Sequence, residues 1–361
     1  MRLVAVTLLL VLTTTLHAQP APVTPPLTAT PELPFKLSAK AYVDATYVRN
    51  EGDGQRTTKT RGIDVKRFYT GIDYTLSELI GASFLTDIGD KNGKYDVFVK
   101  KAFVQAKLAP DFALRAGASD NPWIPLVEDV YGLRYVEQTL IDRTKFGHSA
   151  DWGLHALGRV ANGLIGYQLS IVNGNGYGNP ARAKWPGVEA RIDARLIEHV
   201  VVATGASIST LGATADKERT GNRYDGLVAW SDNRLRVGVE GFLAKNYTQG
   251  QVTGNAPANT ARGLSVFASY RFVPKLGAFG RLDVVQPVAD TDRDIKNTYT
   301  NIGLEYVPYT FLNLALVYKR DAVETGAAGF TFSTGNGAIG SPMPDASGVY
   351  QEAGVFSQLK F

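Results

Sequence analysis

The sequence predicts an all-β chain that forms a single sixteen-stranded antiparallel barrel and crosses a membrane. Three observations predict this fold class. Apolar and polar residues alternate with period two in about sixteen segments, each bounded by turn residues. The links between these segments alternate in length, as in barrels with short turns on one side of a membrane and long loops on the other. After the N-terminal leader no segment offers a long apolar run, so a membrane would have to be crossed by strands.

The N-terminal segment MRLVAVTLLLVLTTTLHAQ is typical of a secretory signal peptide. One basic residue, Arg2, precedes an apolar run, and a small residue, Ala18, lies at the expected cleavage position. The next stretch is rich in proline, which cannot join a hydrogen-bonded ladder, so we expect a flexible periplasmic leader there. We therefore expect a signal peptide at 1–18, the leader at 19–34 and one barrel domain at 35–361.

The period-two alternation predicts strands near 36–48, 63–76, 80–88, 95–108, 111–119, 151–160, 163–173, 187–197, 199–209, 223–231, 234–246, 261–273, 276–286, 297–307, 310–320 and 350–361. Short periplasmic turns are expected at 77–79, 109–110, 161–162, 198, 232–233, 274–275 and 308–309. Long external loops are expected at 49–62, 89–94, 120–150, 174–186, 210–222, 247–260, 287–296 and 321–349. No helical periodicity competes over a comparable length. A soluble β-sandwich is the alternative, although it would not need this alternation of link lengths.

Several predicted strands separate cleanly into a charged face and an apolar face. At 187–197, for example, Glu189 and Arg191 lie on one face, and Val188 and Ile192 lie on the other. Lipid requires an apolar surface, whereas the interior of a barrel can carry charge. We therefore assign the charged faces to the interior.

Basic residues outnumber acidic ones on the predicted inner faces. The basic candidates for the lining are Lys40, Arg67, Arg115, Arg159, Arg191, Arg195, Arg234, Arg236, Arg271, Arg281, Lys319 and Lys360. The acidic candidates are Asp44, Asp73, Glu189, Asp193, Glu240, Asp283 and Glu305. This excess predicts a mild preference for anions. The alternative is that many of these charges pair with neighbours across strands and only keep the interior wet.

The chain end and the early strands resemble those of a known family. The last ten residues, EAGVFSQLKF, alternate up to Phe361, and this ending resembles the assembly signal of bacterial outer-membrane proteins. The order VKRFYTGIDYTL, YDVFVKKAFVQAKLAP and FALRAGASDNPWIP resembles the phosphate-selective (O/P-type) and related short trimeric porins of Gram-negative bacteria. Their second strand carries a basic pair, and Arg67 stands where a lumen arginine is expected. The resemblance implies a homotrimer in the outer membrane, in contact with lipid and lipopolysaccharide.

The same resemblance gives the long segment at 120–150 a role, because in those porins the third external loop folds inward and narrows the channel. Loops of this length are usually functional. The charged candidates on this constriction loop are Asp120, Glu128, Asp129, Arg134, Glu137 and Asp142. Arginines on the wall that face the loop carboxylates would set a field across the constriction.

Enzyme, metal and nucleic-acid functions find little support in the sequence. The four histidines show no metal-ligand spacing, the chain has no cysteine, and a GxSxG elbow is missing. His155 facing a serine, as in an outer-membrane lipase, is the remaining enzymatic alternative. Removal of Arg2 with the leader takes the 38 basic residues to 37, against 34 acidic ones, so nucleic-acid binding is not expected.

We therefore expect a water-filled outer-membrane porin for ions and small hydrophilic solutes, with no enzymatic activity, cofactor or metal. The first alternative is a substrate-specific channel for phosphate, organic acids or sugars. The second is a barrel with an adhesive or lipid-hydrolysing role.

Overall fold

The computed structural model describes residues 34–51, 57–91, 94–324, 330–341 and 347–361. The predicted signal peptide and the predicted leader up to residue 33 lie outside these described residues. Within them the chain forms a closed barrel of sixteen antiparallel strands, which confirms the predicted fold class. None of the helices within the described residues is long and apolar enough to cross a membrane.

Each barrel strand pairs with the next along the chain, and the last strand closes the ring by pairing with the first. The first eight are β1 (Phe35–Asn50), β2 (Thr58–Thr75), β3 (Ile80–Lys91), β4 (Lys94–Ala109), β5 (Phe112–Asp120), β6 (Ala150–Val160), β7 (Ile165–Val172) and β8 (Gly187–Ile197). The others are β9 (Val200–Ser209), β10 (Gly221–Ser231), β11 (Leu235–Lys245), β12 (Thr260–Val273), β13 (Leu276–Gln286), β14 (Lys296–Tyr309), β15 (Leu312–Glu324) and β18 (Gly348–Lys360).

The remaining elements lie in three of the long links. Two helices, α1 (Ile124–Tyr131) and α2 (Leu140–Arg143), lie between β5 and β6, and α3 (Gln249–Thr253) lies between β11 and β12. A separate two-stranded hairpin, β16 (Phe330–Thr334) and β17 (Gly337–Ser341), lies between β15 and β18. We call the end of the barrel that carries these links the long-link end, and the opposite end the short-turn end.

The structure differs from the predicted boundaries mainly at the long-link end. The expected loop at 89–94 is almost entirely strand, because β3 runs to Lys91 and β4 begins at Lys94. Similarly, β2 begins at Thr58 rather than near residue 63. The residues of these extensions are all polar or glycine, so their sequence lacks the alternation of apolar and polar residues on which the prediction depended. Strands that continue beyond an apolar band no longer need an apolar outer face.

The helices within 120–150 were also not predicted. Helix α1 is only eight residues long, begins after Trp123 with a proline in its first turn and ends at Gly132. Gly132 has φ 74°, the left-handed conformation in which glycine commonly ends a helix. Eight residues are too few for a helical repeat to stand out in the sequence.

The two faces of the barrel differ in the way the alternation predicted. On β8, Ile192 is 58% exposed on the outer face, whereas the neighbouring Asp193 is fully buried on the inner face. Large apolar side chains are exposed on the outer face of every barrel strand from β1 to β15 and on β18. An apolar outer surface of this kind suits hydrocarbon. The closed ladder also suits it, because a sheet without edges exposes no row of unpaired backbone groups to lipid.

Candidate functional site

The long link between β5 and β6 lies inside the barrel. We call residues 121–149 the inward loop. Its apolar residues Trp123, Ile124, Leu140 and Ile141 are almost completely buried. The indole Nε1 of Trp123 donates a 2.9 Å hydrogen bond to Oε1 of Glu240 on β11. The barrel therefore has a packed core on the side where the loop lies.

One buried arginine of the inward loop binds its second half to the barrel wall. Arg143, in α2, is completely buried, and its Nε lies 3.0 Å from a carboxylate oxygen of Asp283. Its Nη1 lies 2.9 Å from Asp321, its Nη2 donates to Asn297, and its guanidinium stacks 4.4 Å from the ring centre of Tyr299. At this point the loop supplies the cation and the wall supplies the acids, the reverse of the predicted arrangement.

Several of the predicted lining arginines also hold the loop. Arg281 donates to the carbonyl of Gln138 at 2.5 Å. Arg223, which was not among the predicted lining residues, donates to the carbonyl of Phe146 at 2.6 Å. Arg236 donates to the carbonyls of Asp129 and Val130, in the last turn of α1, where a positive charge complements the helix dipole. Arg191 donates to the carbonyl of Pro122. We call strands β8–β15, which carry these contacts, the docking wall.

The carboxylates of the inward loop are mostly paired. Glu128 lies 2.6 Å from Arg134, which also lies 3.5 Å from Asp142. Glu137 lies 3.5 Å from Nζ of Lys319 on β15. Burial opposes ionisation of Glu137 and Asp142, but Lys319 acting on Glu137 and Arg134 acting on Asp142 outweigh it and hold each pKa below its ordinary value. Both groups are therefore ionised at neutral pH and stabilise the docked loop.

Most of the other predicted lining and loop residues have side-chain partners inside the barrel, but not all of them do. Side-chain partners on the inner face hold Arg67 (Asp87, 3.0 Å), Arg115 (Gln105, 2.8 Å), Arg159 (Asp193, 2.8 Å), Arg271 (Glu305, 3.2 Å) and Asp120 (Lys101, 2.6 Å). Asp129 and Arg195 are exposed. Arg234 differs from its predicted position, because it lies in the turn before β11 and not on the wall. Its guanidinium lies 5.3 Å from the ring of Tyr270, an exposed side chain of the outer face.

Two β-bulges place pairs of consecutive basic residues on the inner face. In the β1–β2 ladder Tyr42 pairs with Arg67 but Val43 pairs with Val65, so Lys66 has no opposite residue. Lys66 reaches Asp44 at 3.4 Å, while Arg67 reaches Asp87. A bulge aims two successive side chains to the same side, which strict alternation forbids.

The second bulge lies in β4. Leu85 pairs with Lys101 but Thr86 pairs with Val99, so Lys100 is the extra residue. Lys100 is buried beside the hydroxyl of Tyr69 at 3.4 Å, and Lys101 reaches Asp120 at 2.6 Å. Sequence reasoning missed Lys66, Lys100 and Lys101 for this reason. The only signal was the presence of two adjacent basic residues in each of these strands.

Open space remains on the side of the barrel opposite the docked loop. We call strands β1–β4 and β18 the open wall. A cavity of about 630 Å³ toward the short-turn end is lined by Lys40, Tyr42, Tyr69, Lys100, Lys101 and Lys360 of this wall, and by α1 and Arg134 of the loop. A second cavity of about 170 Å³ toward the long-link end also has Tyr42 and Arg134 in its lining. The two cavities therefore adjoin at these residues.

The hairpin β16–β17 packs onto the docked loop at the long-link end. Ile339 is completely buried, and the ring of Phe332 lies 6.3 Å from that of Phe146 in the inward loop. Asn336, between the two strands, donates a 3.1 Å hydrogen bond to Asp321, the acid that also binds Arg143. The segment 321–349 was predicted as loop alone. The run FTFSTGNGAIG, with an Asn-Gly turn signal, was the available clue.

His155 does face a serine, as the enzymatic alternative required. Its Nδ1 lies 2.9 Å from Oγ of Ser170, but both side chains are buried. The other ring nitrogen has no hydrogen-bond partner among the described residues. The pair therefore has no third group that would orient the ring for catalysis. Across the described parts of the chain, no three acidic, histidine or cysteine residues are grouped to hold a metal ion.

The fold and the interior together define a class: sixteen-stranded barrels of the outer-membrane type, with an inward loop. No protein-family model matches the chain, and no curated protein sequence does. Among solved structures, the fold is similar to an anion-selective porin from Comamonas acidovorans, with a TM-score of 0.63, 10% identity, and 91% of this chain and 99% of that chain covered. It is also similar to the outer-membrane channel DcaP of Acinetobacter baumannii, with a TM-score of 0.60, 12% identity, and 91% and 97% covered. The trimer form of OmpT, an outer-membrane protein of Vibrio cholerae, gives a TM-score of 0.58 at 13% identity, with 91% and 99% covered.

Proposed function

We propose that this protein is an outer-membrane porin that lets ions and small hydrophilic solutes diffuse passively, with a mild preference for anions. The apolar outer face and the closed ladder support a place in the outer membrane. The short-turn end would face the periplasm, and the long-link end would face the outside. The similarity to the Vibrio protein in its trimer form supports a homotrimer.

The observation that carries the anion preference is the lining of the larger cavity. Lys40, Lys100 and Lys360 have no carboxylate within 4.0 Å among the described residues. On the docking wall, by contrast, Arg191, Arg236 and Arg281 donate to carbonyls of the loop. Six basic side chains line this cavity (Lys40, Lys100, Lys101, Arg134, Arg236 and Lys360), against three acidic ones (Asp120, Glu128 and Asp129). The charge that the lining offers to a passing ion is therefore positive on balance.

Single-channel recording of the purified protein in a planar bilayer under a KCl gradient tests this proposal. We expect stepwise openings in threes and a reversal potential on the chloride side. No openings from protein shown to be folded, or a reversal potential on the potassium side, would contradict it.

A paired substitution locates the source of the preference. We expect Lys40→Met together with Lys360→Met to move the reversal potential toward zero. A unit charge about 4 Å from an ion in water is worth about 1 kcal/mol, so the permeability ratio should fall by at most roughly fivefold per lysine. Lys245→Met is the matched control, because Lys245 is exposed and lies two residues after Leu243 on the same, outer face of β11.

A further inference from the structure

Lys100 is a buried cation whose surroundings are aromatic. It is 8% exposed, its Nζ lies 4.8 Å from the ring centre of Tyr69 and 5.6 Å from that of Tyr177, and the Tyr69 hydroxyl is 3.4 Å away. The acids on the neighbouring strands are bound to other cations, Asp87 to Arg67 and Asp120 to Lys101. Buried lysines are ordinarily paired with an acid, because desolvating an ammonium is costly. A ring face compensates only part of this cost.

A second pair of lysines faces the same cavity. Lys40 and Lys360 are directly opposite each other in the β1–β18 ladder, and both line the cavity that Lys100 lines. Like charges directly opposite each other in a ladder repel, and an anion between them relieves this repulsion. The cavity therefore offers three cations that have no carboxylate within 4.0 Å in the described part of the chain.

One part of the lining is apolar, although the lining also includes the acids Asp120, Glu128 and Asp129. The rings of Tyr42 and Tyr69 pack edge to face at 5.7 Å and are both buried, and Leu85 and Pro125 complete this side. An inorganic anion would use the lysines but not the rings. A neutral sugar would use the rings but not the positive charge, so the lysines and the rings together favour a ligand with one anionic end and an apolar body.

We propose that this cavity is a subsite for small organic carboxylates with an aromatic or other apolar body. The carboxylate binds between Lys40, Lys100 and Lys360, and the body packs on Tyr42 and Tyr69. The inference rests on the proposed channel function, since the subsite lies on the route that the channel provides.

The first experiment compares four probes on the open channel in KCl. Benzoate has a negative charge and an apolar ring. Acetate and inorganic phosphate have the charge without the ring, and benzyl alcohol has the ring without the charge. We expect benzoate to interrupt the current at concentrations about tenfold lower than acetate or phosphate, because only benzoate buries a ring as well as a charge. Benzyl alcohol should not block in the same range. Benzoate block no tighter than that of acetate would overturn the subsite.

Two variants separate the contribution of the Lys100 charge to benzoate block from that of the Tyr69 ring. Lys100→Met keeps the length of the side chain and removes its charge, and Tyr69→Leu removes the ring that lies beside it. Each should raise the blocking concentration of benzoate several-fold, and only Lys100→Met should also weaken acetate. The control Lys245→Met should change neither value. Equal benzoate block in all variants would contradict the assignment of these residues.

A binding measurement that does not depend on ion conduction tests the subsite separately from the proposed channel function. Fluorine NMR of 4-fluorobenzoate with the detergent-solubilised protein should show line broadening that unlabelled benzoate reverses and Lys360→Met weakens. Openings with a chloride preference but no broadening would overturn the subsite and leave the porin proposal standing. Broadening without any openings would overturn the porin proposal instead. If Lys100→Met fails to fold, Lys360→Met, at the more accessible end of the cavity, provides the same test.

Discussion

The docking wall and the open wall carry the same kind of residue in different roles. On the docking wall, Arg236 and Arg281 bind carbonyls of the inward loop, and the wall's Asp283 and Asp321 receive the loop's Arg143. On the open wall, Lys40 and Lys100 face a cavity and no acid within 4.0 Å in the described residues. The number of inward-facing charges therefore does not identify the lining of a passage. The partner of each charge does.

The largest effect that tests this comparison should come from Arg143→Met. The substitution leaves Asp321 and Asp283 buried without their shared cation, and breaking a buried ion pair in this way costs about 3–5 kcal/mol. We expect the lower part of that range, because Arg281 still binds Asp283 at 2.7 Å. Thermal unfolding in detergent, followed by circular dichroism, measures the loss of stability. Single-channel conductance should rise because the loop is released.

A matched set of substitutions shows whether the lost charge is responsible. Adding Asp283→Asn and Asp321→Asn to Arg143→Met removes the uncompensated acids and should recover part of the stability. If Arg143→Met unfolds at the wild-type temperature and shows wild-type conductance, then Arg143 does not hold the inward loop against the docking wall.

The next effect should come from Trp123→Phe, at the start of the inward loop. The change removes the 2.9 Å hydrogen bond to the buried Glu240, and loss of one partner of a buried hydrogen bond costs about 1–3 kcal/mol. Trp185→Phe is the control, since Trp185 is half exposed in the link between β7 and β8. We expect a clear drop in unfolding temperature for Trp123→Phe alone. Equal drops in the two variants would show that loss of an indole in general, and not the contact with the docking wall, is responsible.

A smaller and pH-dependent effect should come from Glu137. Burial acts to raise the pKa of Glu137, but Lys319 and then Arg143 outweigh it and hold the pKa below the ordinary value of 4.5. A depressed pKa stabilises the folded protein above the ordinary pKa, and this contribution is lost as the pH falls through the lower, folded value. Loop docking should therefore be unchanged between pH 7 and pH 5 and weaken below about pH 4.

Conductance recorded as a function of pH measures this transition, and Glu137→Gln should reduce its amplitude. The substitution should be mild at neutral pH, because Lys319 remains 3.1 Å from Glu352. A transition between pH 5 and pH 7 that Glu137→Gln abolishes would contradict the sign of the shift.

The alternation of side chains determined most of what the sequence could predict. It gave the sixteen strands and the charged inner face, because lipid and water demand different residues on the two sides of one strand. It could not give Lys66 or Lys100, since a bulge breaks the period on which the prediction depends. It also could not distinguish Arg143 from other arginines, because its acids come from strands more than a hundred residues away along the chain.

The smallest effect should come from Arg195→Gln, and its value lies in the contrast with Arg191→Gln two residues earlier on β8. Both arginines were predicted to line the passage. Arg191 lies 3.1 Å from Asp193 and also binds the carbonyl of Pro122, whereas Arg195 is exposed. Exposed substitutions usually change stability by less than about 0.5 kcal/mol, so Arg195→Gln should unfold like the wild type. Arg191→Gln should unfold at a lower temperature, because it loses a contact to the loop and leaves Asp193, which is completely buried, with only Arg159. Identical unfolding temperatures would mean that contact with the inward loop does not make Arg191 more important for stability than Arg195. The distinction between the two walls would then depend on the lysines of the open wall alone.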